Sequence, residues 1–507
     1  MESRPFFRGV FLWGYLKIMN PEGFNEEDWL ETDDKFHDHC GVFGIADSLE
    51  AAQHAFLGLY GLQHRGQESA GIVTSDGNCL YLHKGMGHVA DVFNDSVLAQ
   101  LPGNSAIGHV RYSTTGGSSL VNAQPIRTDS NRGPLALAHN GNLVNSVQIR
   151  QRLEEEGAIF QSTSDTEVIL HLLARCPIED MDKALRNVLG YVQGAYSLVV
   201  LAPRKMYAIR DPYGVRPLSL GRLNGSYVVA SETCSFDLLG AEYLRDIVPG
   251  EILRIEDGEL YSSRLPAAPR RAFCIFEHVY FSRPDSKVFE RSVHKSRYKM
   301  GRQLAREAPV TADLVVPVPD SGVTAALGFS DESKIPFTMG LVRNHYVGRT
   351  FIQPKQSARH LSVRVKLNPV KELLRNKRII LIDDSIVRGT TSRKIVDMVR
   401  QAGAREVHMR ISSPPTIAPC YYGIDTPTYR ELIAANKSVE AIRQFLGADS
   451  LSYLSLEGMK AAVSDSQEFC SACFDEKYPI TVAHERRQRG LFELKELVPL
   501  ERAVEKE

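Results

Sequence analysis

Arg378-Ile-Ile-Leu-Ile-Asp-Asp-Ser-Ile-Val-Arg-Gly-Thr-Thr-Ser392 joins two carboxylates to a loop of small polar residues. Asp383 and Asp384 could hold sugar hydroxyls or Mg²⁺, a hard cation that takes oxygen ligands beside substrate phosphates. Ser385 to Thr391 can curl into a nest of backbone N–H groups and hydroxyls. A helix over Ser392 to Ala402 would aim its N-terminus at that nest, and such a terminus is a ready phosphate site. Together these groups suit a phosphorylated sugar. Taken singly, two acids also suit a solvated strand end, and Gly-Thr-Thr suits a helix cap.

A second group lies toward the N-terminus. Cys40-Gly-Val-Phe-Gly-Ile45 puts a thiol ahead of an apolar run, which suits an inert core thiol as well as a nucleophile. Four polar strings follow: His64-Arg-Gly-Gln-Glu-Ser-Ala-Gly71, Gly108-His-Val-Arg-Tyr-Ser-Thr114, Ala138-His-Asn-Gly-Asn142 and Ser162-Thr-Ser-Asp-Thr-Glu167. Hydrolysing an amide needs a nucleophile, a base and donors for the oxyanion. A thiol at a chain's N-terminus carries its own base, because an α-amino group titrates at about pH 8. An asparagine amide and a glycine N–H can form an oxyanion hole. Arg111 offers a planar fork for a carboxylate and Asp165 a counter-charge for an ammonium; both equally suit a surface ion pair.

The elements that must position these groups are legible in outline. Ile379 to Ile382 are all apolar, so both faces of the segment should be buried, as in a central parallel strand. Asp383 and Asp384 then fall at its carboxyl end, where open α/β sheets bind ligands. Successive strand residues point to opposite faces, so both acids serve one ligand only if the chain turns at Asp384. Asp313-Leu-Val-Val-Pro-Val-Pro-Asp-Ser-Gly322 reads as a second buried strand running into a turn. A helix-like run precedes His64. At 507 residues the chain suggests about three domains. Apolar content of 43% and charged content of 24% are ordinary for a globular protein. A net charge of −1 gives no electrostatic reason to expect nucleic acid or a membrane. A Pro/Ala/Arg stretch, Leu265 to Arg271, suggests a domain boundary.

The Arg378–Ser392 string resembles the phosphoribosyl-pyrophosphate (PRPP) signature of type I phosphoribosyltransferases. The resemblance implies that Asp383 and Asp384 hold the ribose hydroxyls, and that Ser385, Arg388, Gly389, Thr390 and Thr391 belong to the 5′-phosphate loop. It implies that Asp320, Ser321 and Gly322 form the pyrophosphate loop, with Ser321, Asp383 and Asp384 near one Mg²⁺ per subunit. The Cys40 set resembles the N-terminal-nucleophile glutaminase domain of the glutamine amidotransferases over roughly residues 40 to 260. That implies Cys40 as nucleophile, Asn140 and Gly141 as the oxyanion hole, and Arg111 and Asp165 as the glutamine-binding pair. The two halves in one chain resemble the glutamine PRPP amidotransferases. The expected fold is α+β and α/β: an αββα glutaminase sandwich over 40–265, then a parallel-sheet transferase domain over 271–470. A leader (1–39) precedes them and a segment with a charged helical tail (471–507) follows. The implied activity converts glutamine and PRPP into 5-phosphoribosylamine, glutamate and pyrophosphate, the first step of de novo purine synthesis. Arg343 to Pro354, continuing to Lys366-Leu-Asn-Pro369, looks like that family's mobile loop, a lid over PRPP. Ammonia must cross between the sites unprotonated, so a dry internal passage is required. Feedback inhibition by purine nucleotides, a homotetramer and a cytoplasmic location are implied as well, with no nucleic acid or membrane partner.

For Cys40 to lead the mature chain, residues 1–39 must be removed between His39 and Cys40. Met1 and Met19 are both possible starts. Phe6 to Met19 is too short an apolar run to cross a bilayer and lacks a small-residue cleavage site. Of eight cysteines, Cys470-Ser-Ala-Cys473 is the one close pair, and Cys-x-x-Cys suits a redox motif, half a zinc site or part of an iron–sulfur site. The resemblance extends to the iron–sulfur branch of the family. It implies one [4Fe–4S] cluster per subunit on Cys274, Cys420, Cys470 and Cys473, leaving Cys79, Cys176 and Cys234 as core or surface thiols.

Overall fold

The computed structural model describes residues 37–38, 40–112, 119–344, 367–463 and 468–481. The N-terminal half is built on two antiparallel sheets. One has seven strands, ordered Glu242–Asp246, Ser219–Leu223, Ser226–Ala230, Cys40–Ala46, Ser105–Arg111, Ser69–Ser75 and Leu80–Met86. The other has six, ordered Glu259–Arg264, Glu251–Glu256, Lys205–Arg210, Gly194–Ala202, Gly133–Leu143 and Ile126–Ser130. Val42, Ile107, Ala138, Val199 and Val229 pack between the sheets. The outer face of the first sheet, with Phe43 and Ile45, packs on the helix Ala51–Gly61. That of the second packs on the helices Glu167–Arg175 and Met181–Leu189. Helices therefore lie on both sides of two sheets, the layering expected from sequence.

The C-terminal half carries a parallel sheet ordered Leu314–Pro317, Arg378–Asp383, Glu406–Ile411 and Ser450–Tyr453. Ile379, Ile380, Leu381 and Ile382 are all fully buried, because alternate residues face separate cores on the two sides of the sheet. Each such side chain contributes roughly 1.5–3 kcal/mol of burial free energy. That drive makes a run without polar alternation settle as a central strand.

The halves are joined by packing, with Ala195 and Val215 of the first in one core cluster with Phe276 and Val279. Phe273–Cys274 runs parallel to Phe469–Cys470, closing the end of the chain onto the segment that leaves the second sheet. His37–Asp38 pairs antiparallel with Ile424–Asp425. The stretch 345–366, which contains most of the expected mobile loop, lies outside the described residues. So do His39, the tail beyond Thr481 and most of the leader. Among the described residues no helix is long and apolar enough to cross a membrane.

Candidate functional site

Cys40 opens its strand and lies directly across from Arg111 on the neighbouring one. Both are buried. The Arg111 guanidinium lies 3.7 Å from Glu68, so it is not a surface ion pair but a buried cation beside the thiol's strand. The Gly133–Leu143 strand of the facing sheet brings up Asn140 and Gly141. Arg216 Nε donates to Asn140 Oδ1 at 3.3 Å, and Asn140 Nδ2 donates to Ser231 Oγ at 3.2 Å. Arginine has only donors, so this contact fixes which end of the Asn140 amide is oxygen and leaves Nδ2 as a donor. Gly141 has φ +147, and a Cβ there would sit 2.0 Å from the Ala195 carbonyl oxygen. Only glycine fits, which holds its N–H in a fixed direction.

Asp165 accepts hydrogen bonds from the Leu143 N–H at 2.9 Å and the Thr166 hydroxyl at 3.2 Å. Burial pushes its carboxyl up, but His139 at 3.8 Å and these donors outweigh burial and hold it below the usual carboxylate range. It is thus an anion beside the end of the strand that carries Asn140. His109 is a second histidine in this region. Burial pushes it down to about 3, so it is neutral, and its Nε2–H donates to the His139 carbonyl at 3.0 Å. That nitrogen is committed and leaves His109 poorly suited to act as a base.

Sequence reasoning missed the charges beneath the site. Arg65, Arg216, Glu232 and Glu277 are all fully buried. Arg65 Nε donates to the Cys40 carbonyl at 3.1 Å. Its two terminal nitrogens grip Glu277 at 3.0 and 2.9 Å, and one of them also bonds Glu232. Arg216 Nη2 lies 3.1 Å from Glu277. Glu232, His64 and Cys234 gather within 4.8 Å of one another. The Glu232 oxygens already accept from Ser286 Oγ at 2.7 Å and the Arg283 N–H at 2.9 Å, besides Arg65 and His64. The one available signal was an acid, Glu277, inside the apolar string Phe273 to Phe281.

The second centre lies at the carboxyl ends of the parallel strands. Asp383 is the last strand residue, paired with Ile411, and the chain bends at Asp384. The Asp384 N–H donates to Asp383 Oδ1 at 2.9 Å, and Ser385 Oγ donates to Asp384 Oδ1 at 2.6 Å. The turn that two acids on one ligand require is therefore present. The following helix spans Thr390–Gln401, two residues earlier than the sequence suggested. Gly389, with φ +82, lets the chain enter the helix directly from the loop, so Thr390 and Thr391 lie in its first turn. Asp320, Ser321 and Gly322 precede the helix Val323–Ser333. A Cβ on Gly322 would lie 2.4 Å from the Ile382 carbonyl oxygen, so this turn is pressed against the strand end that carries Asp383. Ser321 Oγ is buried and bonds nothing among the described residues. A hard-cation or phosphate ligand would satisfy it, and Ser321 with Asp383 and Asp384 is an all-oxygen donor set that fits Mg²⁺. Arg388 pairs with Glu431 at 2.9 Å, and Asp320 with Arg343.

A third feature adjoins the first centre through Arg216. Cys274, Cys420, Cys470 and Cys473 line one cavity of about 340 Å³, including its open side, with Val215, Arg216, Tyr422, Ile424 and Tyr478 among the other walls. Burial pushes the Cys470 thiol up to about 12, and raises the thiols of Cys274 and Cys473 well above the usual thiol range. Each feels the charge of other members of the set. Four thiolates converging in one pocket would repel unless iron or another soft metal held them, so the donors fit a cluster. Among the remaining cysteines, Cys79 is exposed and Cys176 and Cys234 are buried.

The Cys420 segment also touches the first centre. Asn142 Nδ2 donates to the Tyr421 carbonyl at 2.9 Å. A Cβ on Gly423 would sit 2.9 Å from the Gly141 Cα.

Comparison with known proteins follows the same division. Residues 109–237 match the glutamine amidotransferase domain family and residues 298–412 the phosphoribosyl transferase domain family. The amidophosphoribosyltransferase of Bacillus subtilis is 50% identical over 452 residues, covering 88% of this chain and 95% of the relative. A solved structure described as the allosteric regulatory enzyme of purine biosynthesis superposes with a TM-score of 0.84 at 50% identity. It covers 87% of this chain and 97% of the other. The glutamine PRPP amidotransferase of B. subtilis, complexed with ADP and GMP, superposes with a TM-score of 0.83 at 49% identity, covering 87% and 98%.

Proposed function

The chain belongs to the amidophosphoribosyltransferase family, enzymes of glutamine-dependent PRPP amidation, and from that premise we propose how its residues divide the work. Cys40, exposed as residue one by removal of residues 1–39, attacks the side-chain amide carbon of glutamine. Its α-amine takes the thiol proton and passes it to the departing ammonia. Charge on the amide oxygen is held by Asn140 Nδ2 and the Gly141 N–H, donors that can each be worth about 2.7–4 kcal/mol. Arg111 takes the α-carboxylate and Asp165 the α-ammonium. Water then releases glutamate from the thioester.

Ammonia passes through a dry interior to C1 of PRPP, where its nitrogen bonds and the bond to pyrophosphate breaks. In the transferase domain, residues 271–470, Asp383 and Asp384 hold the ribose hydroxyls. Ser385, Arg388, Gly389, Thr390 and Thr391 hold the 5′-phosphate, and Asp320, Ser321 and Gly322 the diphosphate. Mg²⁺, when bound by Ser321, Asp383 and Asp384, would neutralise charge on the departing diphosphate. A [4Fe–4S] cluster, when bound by Cys274, Cys420, Cys470 and Cys473, would cross-link the end of the chain to the segment joining its halves. Purine nucleotides act as feedback inhibitors, by analogy with the relative that holds ADP and GMP, and the enzyme works as a cytoplasmic homotetramer.

The observation that carries this reading is the conjunction of Cys40, Arg111, Asn140 and Gly141 at one centre with the bent Asp383–Asp384 pair and the buried Ser321 hydroxyl oxygen at another. The test is glutamate release by the anaerobically purified protein, with and without PRPP and Mg²⁺, while pyrophosphate is followed. PRPP-stimulated glutamate release matched by pyrophosphate supports the reading. Uncoupled or absent release, once intact mass shows Cys40 at the N-terminus, refutes it.

A further inference from the structure

Glu277 belongs to neither centre, yet it is fully buried and reaches the first one through two arginines. One carboxylate oxygen bonds Arg65, whose Nε holds the Cys40 carbonyl. Arg216, 3.1 Å from that same oxygen, holds Asn140 Oδ1. The other oxygen accepts from Arg65 at 3.0 Å and from Ser282 Oγ at 2.6 Å. Glu277 is therefore the shared anchor of the two cations that set the nucleophile's main chain and the oxyanion amide. It also lies outside the two-sheet sandwich, in the turn Glu277–Phe281 that follows Cys274. That turn is fixed in place by Arg297, which donates to the carbonyls of His278 at 2.9 Å and Ser282 at 2.7 Å. Arg297 lies on the helix Val293–Glu307 of the C-terminal half, and the charge of Asp384 acts on it.

We propose that Glu277 is a positioning residue for glutamine hydrolysis, supplied by the C-terminal half and acting through Arg65 and Arg216 on Cys40 and Asn140. This rests on the assignment of Cys40 and Asn140 to that reaction. The chemistry favours it over a passive ion pair. A fork-to-fork contact between a carboxylate and a guanidinium fixes orientation as well as charge. Both arginines spend their Nε on an atom of the glutamine site, so a rotation of either moves that atom. The two buried arginines are matched by two buried glutamates, Glu232 and Glu277. Only Glu277 contacts both arginines in the described hydrogen bonds and ion pairs.

Glu277→Gln keeps the side-chain shape but turns an acceptor into an NH₂ donor facing guanidinium donors, so one arginine must let go. The variant is to be compared with the wild-type holoenzyme, both prepared anaerobically, with glutamine and with ammonia as the nitrogen source. The expected result is a glutamine-dependent kcat lower by about 10²-fold, with KM for glutamine changed less than about threefold. Ammonia-dependent synthesis should stay within about twofold. Equal loss of both activities, a rise in KM alone, or no change overturns the proposal. If Glu277→Gln does not yield folded protein, Arg65→Lys keeps the charge while removing the fork. It is expected to give the same split, and equal loss of both activities there overturns the proposal too. If the wild-type enzyme itself uses ammonia but not glutamine, the assignment of the first centre has failed, an outcome distinct from failure of the Glu277 relay.

Discussion

Substituting Gly423 by alanine should impair glutamine use although the residue lies far from Cys40 in sequence. The added Cβ would sit 2.9 Å from the Gly141 Cα and 3.0 Å from its carbonyl carbon. Carbon atoms settle at about 3.5–4.0 Å, so one of the two backbones must retreat by about 0.5–1 Å. Gly141 cannot yield freely, because a Cβ-sized gap is already denied to it by the Ala195 carbonyl. Displacing a catalytic group by about 1 Å costs on the order of 10²-fold in rate, or about 2.7 kcal/mol of barrier. Gly423 also has φ +103, so alanine there adds about 1–2 kcal/mol of backbone strain to the folded state. The assay is glutamine- and ammonia-driven pyrophosphate release on the same preparation, with iron content measured to show that the Cys420 segment is still in place. A fall of about 10–100-fold with glutamine and little change with ammonia is expected. An undiminished glutamine rate would refute the contact as a determinant of the oxyanion hole.

Cys40→Ala should abolish glutamate release and leave ammonia-dependent synthesis within about threefold of wild type, read by the same paired assay. Asp384→Asn should lower synthesis from either nitrogen source by at least about tenfold and raise the Mg²⁺ concentration needed, checked by Mg²⁺ titration. Cys473→Ser should reduce iron content and thermal stability together, checked by iron analysis and thermal inactivation under anaerobic conditions. His109 and His278 are both held near pKa 3 by burial, against about 6.5 in an unfolded chain. The unfolded state takes up their protons first, so their stabilising contribution is complete above about pH 6.5 and is lost as pH falls toward 3. Each should contribute a slope of about 1.4 kcal/mol per pH unit. Denaturation midpoints at pH 7, 6 and 5 should fall accordingly, and a flat profile between pH 6 and 5 would contradict their burial as neutral rings.

What the sequence made legible follows from where the physics is local. Ile379 to Ile382 reveal a central strand because nothing polar interrupts them, and the bend at Asp384 follows from asking two acids to face one ligand. The helix after it starts two residues early because Gly389 adopts a left-handed conformation that no pattern of hydrophobicity encodes. Arg65, Arg216 and Glu232 escaped notice because a charged residue reads as surface until its partners are known. Those partners come from distant parts of the chain. The contact of Tyr421 and Gly423 with the Asn140 strand was invisible for the same reason, since it joins residues that the two separate motif sets never place side by side. The four cysteines were drawn together by resemblance, and their spacing alone left zinc and redox chemistry open.

The pairing of Phe273–Cys274 with Phe469–Cys470 has a consequence for biosynthesis. A nascent chain can close both antiparallel sheets once it has emerged as far as Arg264, since all thirteen strands precede that residue. The segment that seals the junction arrives roughly 200 residues later. At translation speeds of about 5–20 residues per second, that is a delay on the order of ten seconds or more. During it Phe273–Cys274 has yet to meet its strand partner. The Phe469–Cys470 strand thus acts as a clasp that fastens only after both antiparallel sheets and the parallel sheet have been synthesised.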